Sequence, residues 1–272
     1  MMNRPAAGIS KRLDWLKLSR ETTKKTMGKY TLLATGFGLV LILSLLHSGG
    51  PAVQGQVGGG VLEERRAAMV KEQIERRGIH DPQILEAMRA TPRHRFVPQA
   101  VQDQAYGDYP LPIGWDQTIS QPYIVALMVE LLQAKGGEKV LEIGTGSGYH
   151  AAVMSQLVDE VYTIEIVEPL ANRAEETLRT LGYDNVHVRV GDGYRGWTEQ
   201  APFDAIVLTA APPVVPKPLL RQLKVGGRMI LPLGKGTQDL VVITRTVDGF
   251  DRRTVAAVRF VPMTGEVQGD ER

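Results

Sequence analysis

The chain has 272 residues, 43% of them hydrophobic, and no cysteine. This length is enough to bury a core and fits one domain with a small extension. Because cysteine is absent, disulfides, zinc–thiolate sites, iron–sulfur clusters and cysteine nucleophiles are excluded. The formal net charge of +2 is too small to indicate a protein that binds nucleic acid.

The charge is distributed unevenly along the chain. Residues 1–29 form a leader rich in Lys and Arg, and residues 30–46 carry no charged side chain. Residues 47–60 are rich in Gly and are predicted to be a flexible tether. Residues 61–272 form the predicted folded domain, whose charge is mildly acidic. An acidic domain is a poor partner for DNA or RNA, so no nucleic-acid partner is expected.

The apolar segment 30–46 predicts contact with a membrane. As a helix it would span about 25 Å, slightly less than the roughly 30 Å of a hydrocarbon core. It fits either a signal peptide with a long basic start or an uncleaved anchor. The preceding basic residues would keep the N-terminus in the cytoplasm and place the domain outside. A buried helix of a soluble protein is the third interpretation, which the Gly-rich tether disfavours.

The domain begins with two helical patterns. An amphipathic, charged stretch predicts a helix over 62–77, which Gly78 ends. Asp81 and Pro82 are a favourable start for a second helix over 83–90. Residues 91–119 are rich in Pro, Gly and aromatic residues and are predicted to be an ordered loop. A third helix is predicted to begin at Pro122.

Strands and helices then alternate along the chain. Apolar strands between helices indicate a mostly parallel, doubly wound α/β sheet that is covered on both faces, with a small helical N-terminal part. The last two strands lack a long crossover, which predicts an antiparallel edge. Strands are predicted over 139–143, 161–165, 186–190, 204–209, 228–233, 240–246 and 255–261, and helices over 149–157, 169–181 and 217–223.

A glycine-rich turn follows the first of these strands. Residues 140–148 read VLEIGTGSG, with Gly144, Gly146 and Gly148 at alternate positions. Glycines let the backbone adopt positive φ and approach a ligand closely. Ligands of such sheets bind at the carboxyl ends of the strands. The G-x-G-x-G spacing differs from the G-x-G-x-x-G of dinucleotide sites, which disfavours a nicotinamide oxidoreductase.

Acidic residues occur at the ends of three successive strands. Glu142 precedes the turn and suits the positive amino-acid end of a ligand. Glu165 ends the next strand, where a carboxylate accepts ribose hydroxyls. Asp192, followed by Gly193, ends the third strand and suits an adenine amino group. Together they predict S-adenosylmethionine as the cofactor; the alternative is that the three acids only cap strand ends.

Longer strings carry a resemblance to a known family. They read QTISQPYIVA over 117–126, VLEIGTGSGY over 140–149, GDGYRGW over 191–197 and FVPMTG over 260–265. Across residues 62–265 the chain resembles protein-L-isoaspartate O-methyltransferases. The resemblance implies a Rossmann-like, S-adenosylmethionine-dependent methyltransferase fold. It also implies methyl transfer to the α-carboxylate of L-isoaspartyl, and also D-aspartyl, residues in damaged proteins, where the ester closes to a succinimide.

The resemblance assigns the active-site serine to Ser120. It implies that Thr118 and Ile119 line the cofactor pocket, and Thr264 is expected to close over it. Ser120 also lies where a helix N-cap is favourable, so a capping role stays open. The substrate carboxylate is ionised at neutral pH, so the reaction requires alignment and desolvation rather than a base. The histidines show no metal-binding spacing, so no metal is predicted.

Several alternatives remain at this point. The loop 91–119 is the candidate peptide cleft, where Arg93 and Arg95 either favour acidic peptides or are merely solvated. A methyltransferase for another small or protein substrate, or a cofactor-binding protein without catalysis, fits the same motifs. The resemblance implies a cytoplasmic protein, whereas the segment 30–46 implies a membrane-anchored or exported one.

Overall fold

A computed structural model describes residues 57–269 of the chain, with side chains from Gly60 onward. The basic leader 1–29 and the apolar segment 30–46 lie outside the described residues. In the part of the chain that is described, no helix has both the length and the apolar character needed to cross a membrane.

The helices follow the predicted order. The first begins at Val57, so the end of the predicted tether is helical. Its last turns are π-helical over Val70–Ile74 and 3-10 over Glu75–Arg77. The α-helices of the described residues are α1 Val57–Met69, α2 Pro82–Ala90, α3 Pro122–Leu132, α4 Tyr149–Met154, α5 Glu168–Thr180 and α6 Lys217–Gln222.

Seven strands form the main sheet of the described residues, in the order β5-β4-β3-β6-β7-β8-β9. The strands β3 to β7 pair in parallel, and β8 and β9 pair antiparallel at one edge, as predicted. The final strand begins and ends earlier than predicted, because Val261 leaves the sheet to meet Ala211. These strands are β3 Lys139–Ile143, β4 Glu160–Glu165, β5 Val186–Val190, β6 Phe203–Leu208, β7 Leu223–Leu233, β8 Gln238–Arg245 and β9 Phe250–Val258.

The predicted loop 91–119 contains a small hairpin. Strands β1 Leu111–Gly114 and β2 Gln117–Ile119 pair antiparallel. Its tip consists of Trp115 and Asp116, which both have positive φ, at 49° and 56°. A non-glycine residue in this region is strained, so the hairpin is held by its surroundings rather than by its turn. The hairpin leads directly into α3 and brings β2 against the glycine turn.

Arg93 joins the helical N-terminal part to the sheet. Its side chain is fully buried, and its Nε donates to the carbonyl of Ala105 at 2.8 Å. The guanidinium carbon lies 4.9 Å from the ring centre of Tyr149, and burial lowers the pKa of Arg93 to about 10. The expectation that Arg93 lines a peptide cleft is therefore wrong, because the ring of Tyr149 draws it into the core. Arg95 is exposed.

Candidate active site

The glycine turn leaves β3 and enters α4 on backbone that only glycine adopts readily. Gly144, Gly146 and Gly148 have φ of 97°, 55° and 84°. A Cβ on Gly144 would collide with the hydroxyl of Thr209, which donates to the carbonyl of Gly144. The turn is thus pressed against the end of β6 and presents bare backbone to the space above it.

A pocket opens above this turn at the carboxyl ends of the strands. It encloses about 810 Å³, including the part open to solvent. Most of the residues predicted to be catalytic or to bind the cofactor line this pocket: Thr118, Ile119, Ser120, Gly144, Gly146, Glu165, Gly193 and Thr264. Three of the predicted residues do not line it: Glu142, Gly148 and Asp192.

Glu165 lies at the end of β4 and is only 5% exposed. Its Oε2 accepts the backbone N–H of Gly146 at 2.9 Å, and its Oε1 accepts that of Val167 at 3.0 Å. Burial raises the pKa of this carboxyl above its usual value, and the two N–H groups oppose that effect. Each carboxylate oxygen keeps a lone pair for a further donor, so Glu165 fits a ligand with two neighbouring hydroxyls.

Glu142 does not reach the pocket, which corrects the expectation of a direct cofactor contact. Strand residues alternate between faces, and Glu142 shares the face of Val140, which packs with the helices. Its carboxylate is fully buried and accepts from Thr163 Oγ1 at 2.6 Å. His150 Nδ1 lies 2.9 Å from its other oxygen. The motif placed Glu142 near the end of the strand correctly, but it did not indicate on which face of the sheet the side chain lies.

Asp192 is not among the residues that line the pocket. Its Oδ1 accepts the N–H of Tyr194 at 2.9 Å, and its Oδ2 accepts that of Glu266 at 2.7 Å. The carboxylate keeps acceptor capacity beyond these two donors, as that of Glu165 does, so the contact with an adenine amino group stays a prediction. Its neighbour Gly193 lines the pocket, and a Cβ there would collide with Ile143. The two backbone donors show that Asp192 also holds the C-terminal segment.

The junction of β2 and α3 supplies Ser120. The N-cap of α3 is Gln121, without a side-chain capping bond, so the capping role considered for Ser120 is wrong. Ser120 is half-buried and lines the pocket. Within the described residues its hydroxyl makes no hydrogen bond, so it is free to bind a ligand. Ile119 is buried beside it, whereas Thr118 is exposed at the rim.

The C-terminal segment closes the opposite side. Ala211 N donates to Val261 O, and Met263 N donates to Ala211 O, both at 2.8 Å. These bonds fasten the segment to the end of β6, which places exposed Thr264 at the pocket rim, as expected. In residues 57–269 no group of three or more His, Asp or Glu side chains is arranged to hold a metal ion.

His150 lines the pocket, although the sequence motifs did not predict it to be a site residue. The sequence did contain one signal for the contact between His150 and Glu142. His150 follows Glu142 by eight residues, across the end of a strand, a turn and the start of a helix. A helix that packs back over its preceding strand brings such positions together.

Comparison with known proteins agrees with this geometry. The profile of the family "Protein-L-isoaspartate(D-aspartate) O-methyltransferase (PCMT)" matches residues 64–268. The chain belongs to this family. The match covers every strand and every pocket-lining residue described above.

Relatives at high identity support the assignment to the isoaspartate O-methyltransferase family. Protein-L-isoaspartate O-methyltransferase 2 of Shewanella sediminis is 56% identical over 207 residues, covering 75% of this chain and 85% of the relative. The protein-L-isoaspartate O-methyltransferase of Gloeobacter violaceus is 56% identical over 200 residues, covering 73% and 98%.

Solved structures show the same fold. A protein-L-isoaspartate O-methyltransferase superposes with a TM-score of 0.69 at 30% identity, covering 75% of this chain and 67% of that one. A second, from Plasmodium falciparum in complex with S-adenosyl-L-homocysteine, gives a TM-score of 0.66 at 25% identity and covers 73% and 98%. The Rossmann-like methyltransferase fold predicted from the sequence is confirmed.

Proposed function

We propose that this protein transfers a methyl group from S-adenosylmethionine to the α-carboxylate of L-isoaspartyl residues in damaged proteins. The observation that carries the proposal is a single pocket that joins the unbonded hydroxyl of Ser120 to the glycine turn and to Glu165. The family match over residues 64–268 supports the same activity. The backbone nitrogen of the following residue then attacks the ester carbonyl, methanol leaves, and the succinimide that forms begins repair.

The residues of the pocket fit this cofactor. Gly146 and Gly193 bring bare backbone to the wall of the pocket. The Glu165 carboxylate suits the ribose hydroxyls, since it retains acceptor capacity beyond its two backbone donors. When bound, the cofactor supplies an electrophilic methyl group on a sulfonium. This requires no metal and no covalent intermediate with the protein.

The task of the protein is then to place the substrate carboxylate. A carboxylate is already ionised at neutral pH, so no general base is needed to generate the nucleophile. The free hydroxyl of Ser120 donates a hydrogen bond that orients it, and buried Ile119 excludes water beside it. Alignment and desolvation of two bound reactants supply most of the rate enhancement in reactions of this kind.

A methyl-transfer assay tests the proposal. Purified protein is given labelled S-adenosylmethionine and a peptide with one L-isoaspartyl residue, and the same peptide with L-aspartate is the control. We expect base-labile methyl ester on the first peptide alone; a D-aspartyl peptide tests the broader specificity. Binding of the cofactor without transfer would support a non-catalytic role, and transfer to neither peptide would indicate another substrate.

A serine variant tests the assigned role within the same assay. Ser120→Ala is expected to lower turnover at least tenfold while leaving the affinity for S-adenosylhomocysteine within about twofold, since one hydrogen bond to a charged group contributes about 1.5–3 kcal/mol. Ser155→Ala is the matched control, because Ser155 Oγ donates to Ala152 O and does not line the pocket. Unchanged turnover in Ser120→Ala would remove Ser120 from the mechanism.

For location we propose the cytoplasm, where S-adenosylmethionine is made. The family profile begins at residue 64, so the match does not include the apolar segment 30–46. A membrane-anchored or exported protein is the alternative. Cell fractionation with sequencing of the mature N-terminus distinguishes these locations.

A further inference from the structure

His150 has one nitrogen bound and one without a partner. It is the second residue of α4 and is only 8% exposed. Its Nδ1 lies 2.9 Å from Glu142 Oε1, whereas its Nε2 is buried and has no hydrogen-bond partner in residues 57–269. A buried polar atom without a partner destabilises the protein, so a ligand that supplies the partner binds more tightly.

The proton positions around His150 follow from the hydrogen bonds behind it. Thr163 Oγ1 is 2.6 Å from Glu142 Oε2 and gives its only proton to that carboxylate. Thr145 Oγ1, 2.7 Å away, therefore donates to Thr163. The other carboxylate oxygen accepts from Nδ1–H of His150. This chain fixes the orientation of the imidazole and places the proton on Nδ1, as partners behind a histidine commonly do.

His150 leaves Nε2 as its ring nitrogen without a partner among the described residues, at the wall of the pocket. His150 lines the pocket, while Glu142 and Thr163 do not. Because Nδ1 is held by Glu142, Nε2 is the ring nitrogen that remains for a ligand.

The sheet order indicates which part of the cofactor lies there. The strands run β5-β4-β3, with Gly193 following β5, Glu165 ending β4, and His150 following β3. With the ribose at Glu165, the base extends towards Gly193 and the amino-acid end extends towards the glycine turn and α4. His150 thus lies at the amino-acid end.

We propose that Nε2 of His150 binds the amino-acid end of S-adenosylmethionine, in the place first assigned to Glu142. This inference rests on the proposed function for the identity of the cofactor. As a neutral imidazole, Nε2 accepts from the ammonium; as an imidazolium, it donates to the carboxylate. Both groups sit on the same carbon of the ligand. Glu142 is then a positioning residue that acts through His150.

Two ligands that differ only at this end provide the test. S-adenosylhomocysteine carries the amino-acid end, and 5′-methylthioadenosine lacks it. We expect His150→Ala to weaken binding of S-adenosylhomocysteine about tenfold or more in calorimetric titration, while the Kd of 5′-methylthioadenosine stays within twofold. His150→Gln keeps a donor and an acceptor and is expected to recover part of the loss.

The controls separate this role from a structural one. His187→Ala is the matched variant, since His187 pairs with Glu160 and does not line the pocket. Equal loss for both ligands, or no loss for either, overturns the inference; if His150→Ala does not fold, His150→Gln is judged by the same two Kd values. If the His150 variants overturn the inference, the proposed function still stands as long as the wild-type protein binds S-adenosylhomocysteine and methylates the isoaspartyl peptide. Wild-type protein that does neither overturns both.

Discussion

The carboxylate of Glu165 accepts the backbone N–H of Gly146, with 2.9 Å between Oε2 and the nitrogen. This bond joins the end of β4 to the glycine turn that follows β3. The same carboxylate also accepts from Val167, at the start of α5. One buried anion therefore holds two walls of the pocket and keeps acceptor capacity for the ligand between them.

Removal of this anion is expected to weaken cofactor binding. Glu165→Ala leaves the N–H groups of Gly146 and Val167 without their acceptor and removes the contact with the ribose. Hydrogen bonds to charged groups contribute about 1.5–3 kcal/mol each, which predicts a Kd for S-adenosylhomocysteine at least tenfold higher. Calorimetry measures it, with exposed Glu199→Ala as control. An unchanged Kd would show that the ribose lies elsewhere.

The pH dependence of binding follows from the same group. Burial raises the pKa of the Glu165 carboxyl above its usual value. Protonation of Glu165 stabilises the fold as pH falls through this raised pKa, because the buried charge is removed, but the protonated carboxyl is a poorer acceptor. We therefore expect the affinity for S-adenosylhomocysteine to fall as the pH falls through the raised pKa of Glu165, while protonation of this residue itself causes no loss of stability. Glu165→Gln should bind weakly and show no such inflection.

Asp192 is expected to support the C-terminal segment. Asp192→Ala removes the acceptor for the N–H groups of Tyr194 and Glu266, a predicted loss of about 1–3 kcal/mol in the free energy of unfolding. Loosening of Thr264 at the pocket rim should raise the KM for the cofactor as a consequence. Asp192→Asn keeps one acceptor and should lose less. Urea unfolding with steady-state kinetics checks both, and a raised KM with full stability would contradict the assignment.

Two glycines of the turn are expected to differ in their tolerance of alanine. At Gly146 the nearest atom to an added Cβ is Ile113 Cδ1 at 3.5 Å, an ordinary contact, so Gly146→Ala should cost only the roughly 1–2 kcal/mol of its left-handed backbone. Gly144→Ala adds a collision with Thr209, for which overpacking costs about 1–3 kcal/mol more. Urea unfolding should rank them in this order, and equal losses would contradict it.

The fold was largely predictable, because its signals are local and repeated. The strands of the parallel sheet are apolar runs between helices, and the central strands β3, β4 and β6 are mostly buried, whereas β5 at the edge is half-buried or exposed. The hairpin of β1 and β2 was missed for a physical reason. Its strands have four and three residues, and its turn is Trp115-Asp116, without the glycine that marks such turns.

Only the part of the site that lies at the ends of strands was predictable from the sequence. Gly144, Gly146 and Glu165 follow from strand position, since the backbone there must face the crevice. Glu142 was predicted to contact the cofactor, but its side chain is fully buried and does not line the pocket. Asp192 accepts the backbone N–H of Glu266, 74 residues later in the chain, and no local pattern encodes such a contact.

Tyr149 has a consequence for how the molecule responds to its ligand. The residue follows the last glycine of the turn, lines the pocket, and packs beneath the buried guanidinium of Arg93. Met88 of α2 and Met69 of α1 belong to the same apolar cluster. Opening of the N-terminal helices therefore disturbs the ligand-binding turn, and the two loosen as one cooperative unit. Cofactor binding will slow amide hydrogen exchange in α2, a helix that does not line the pocket.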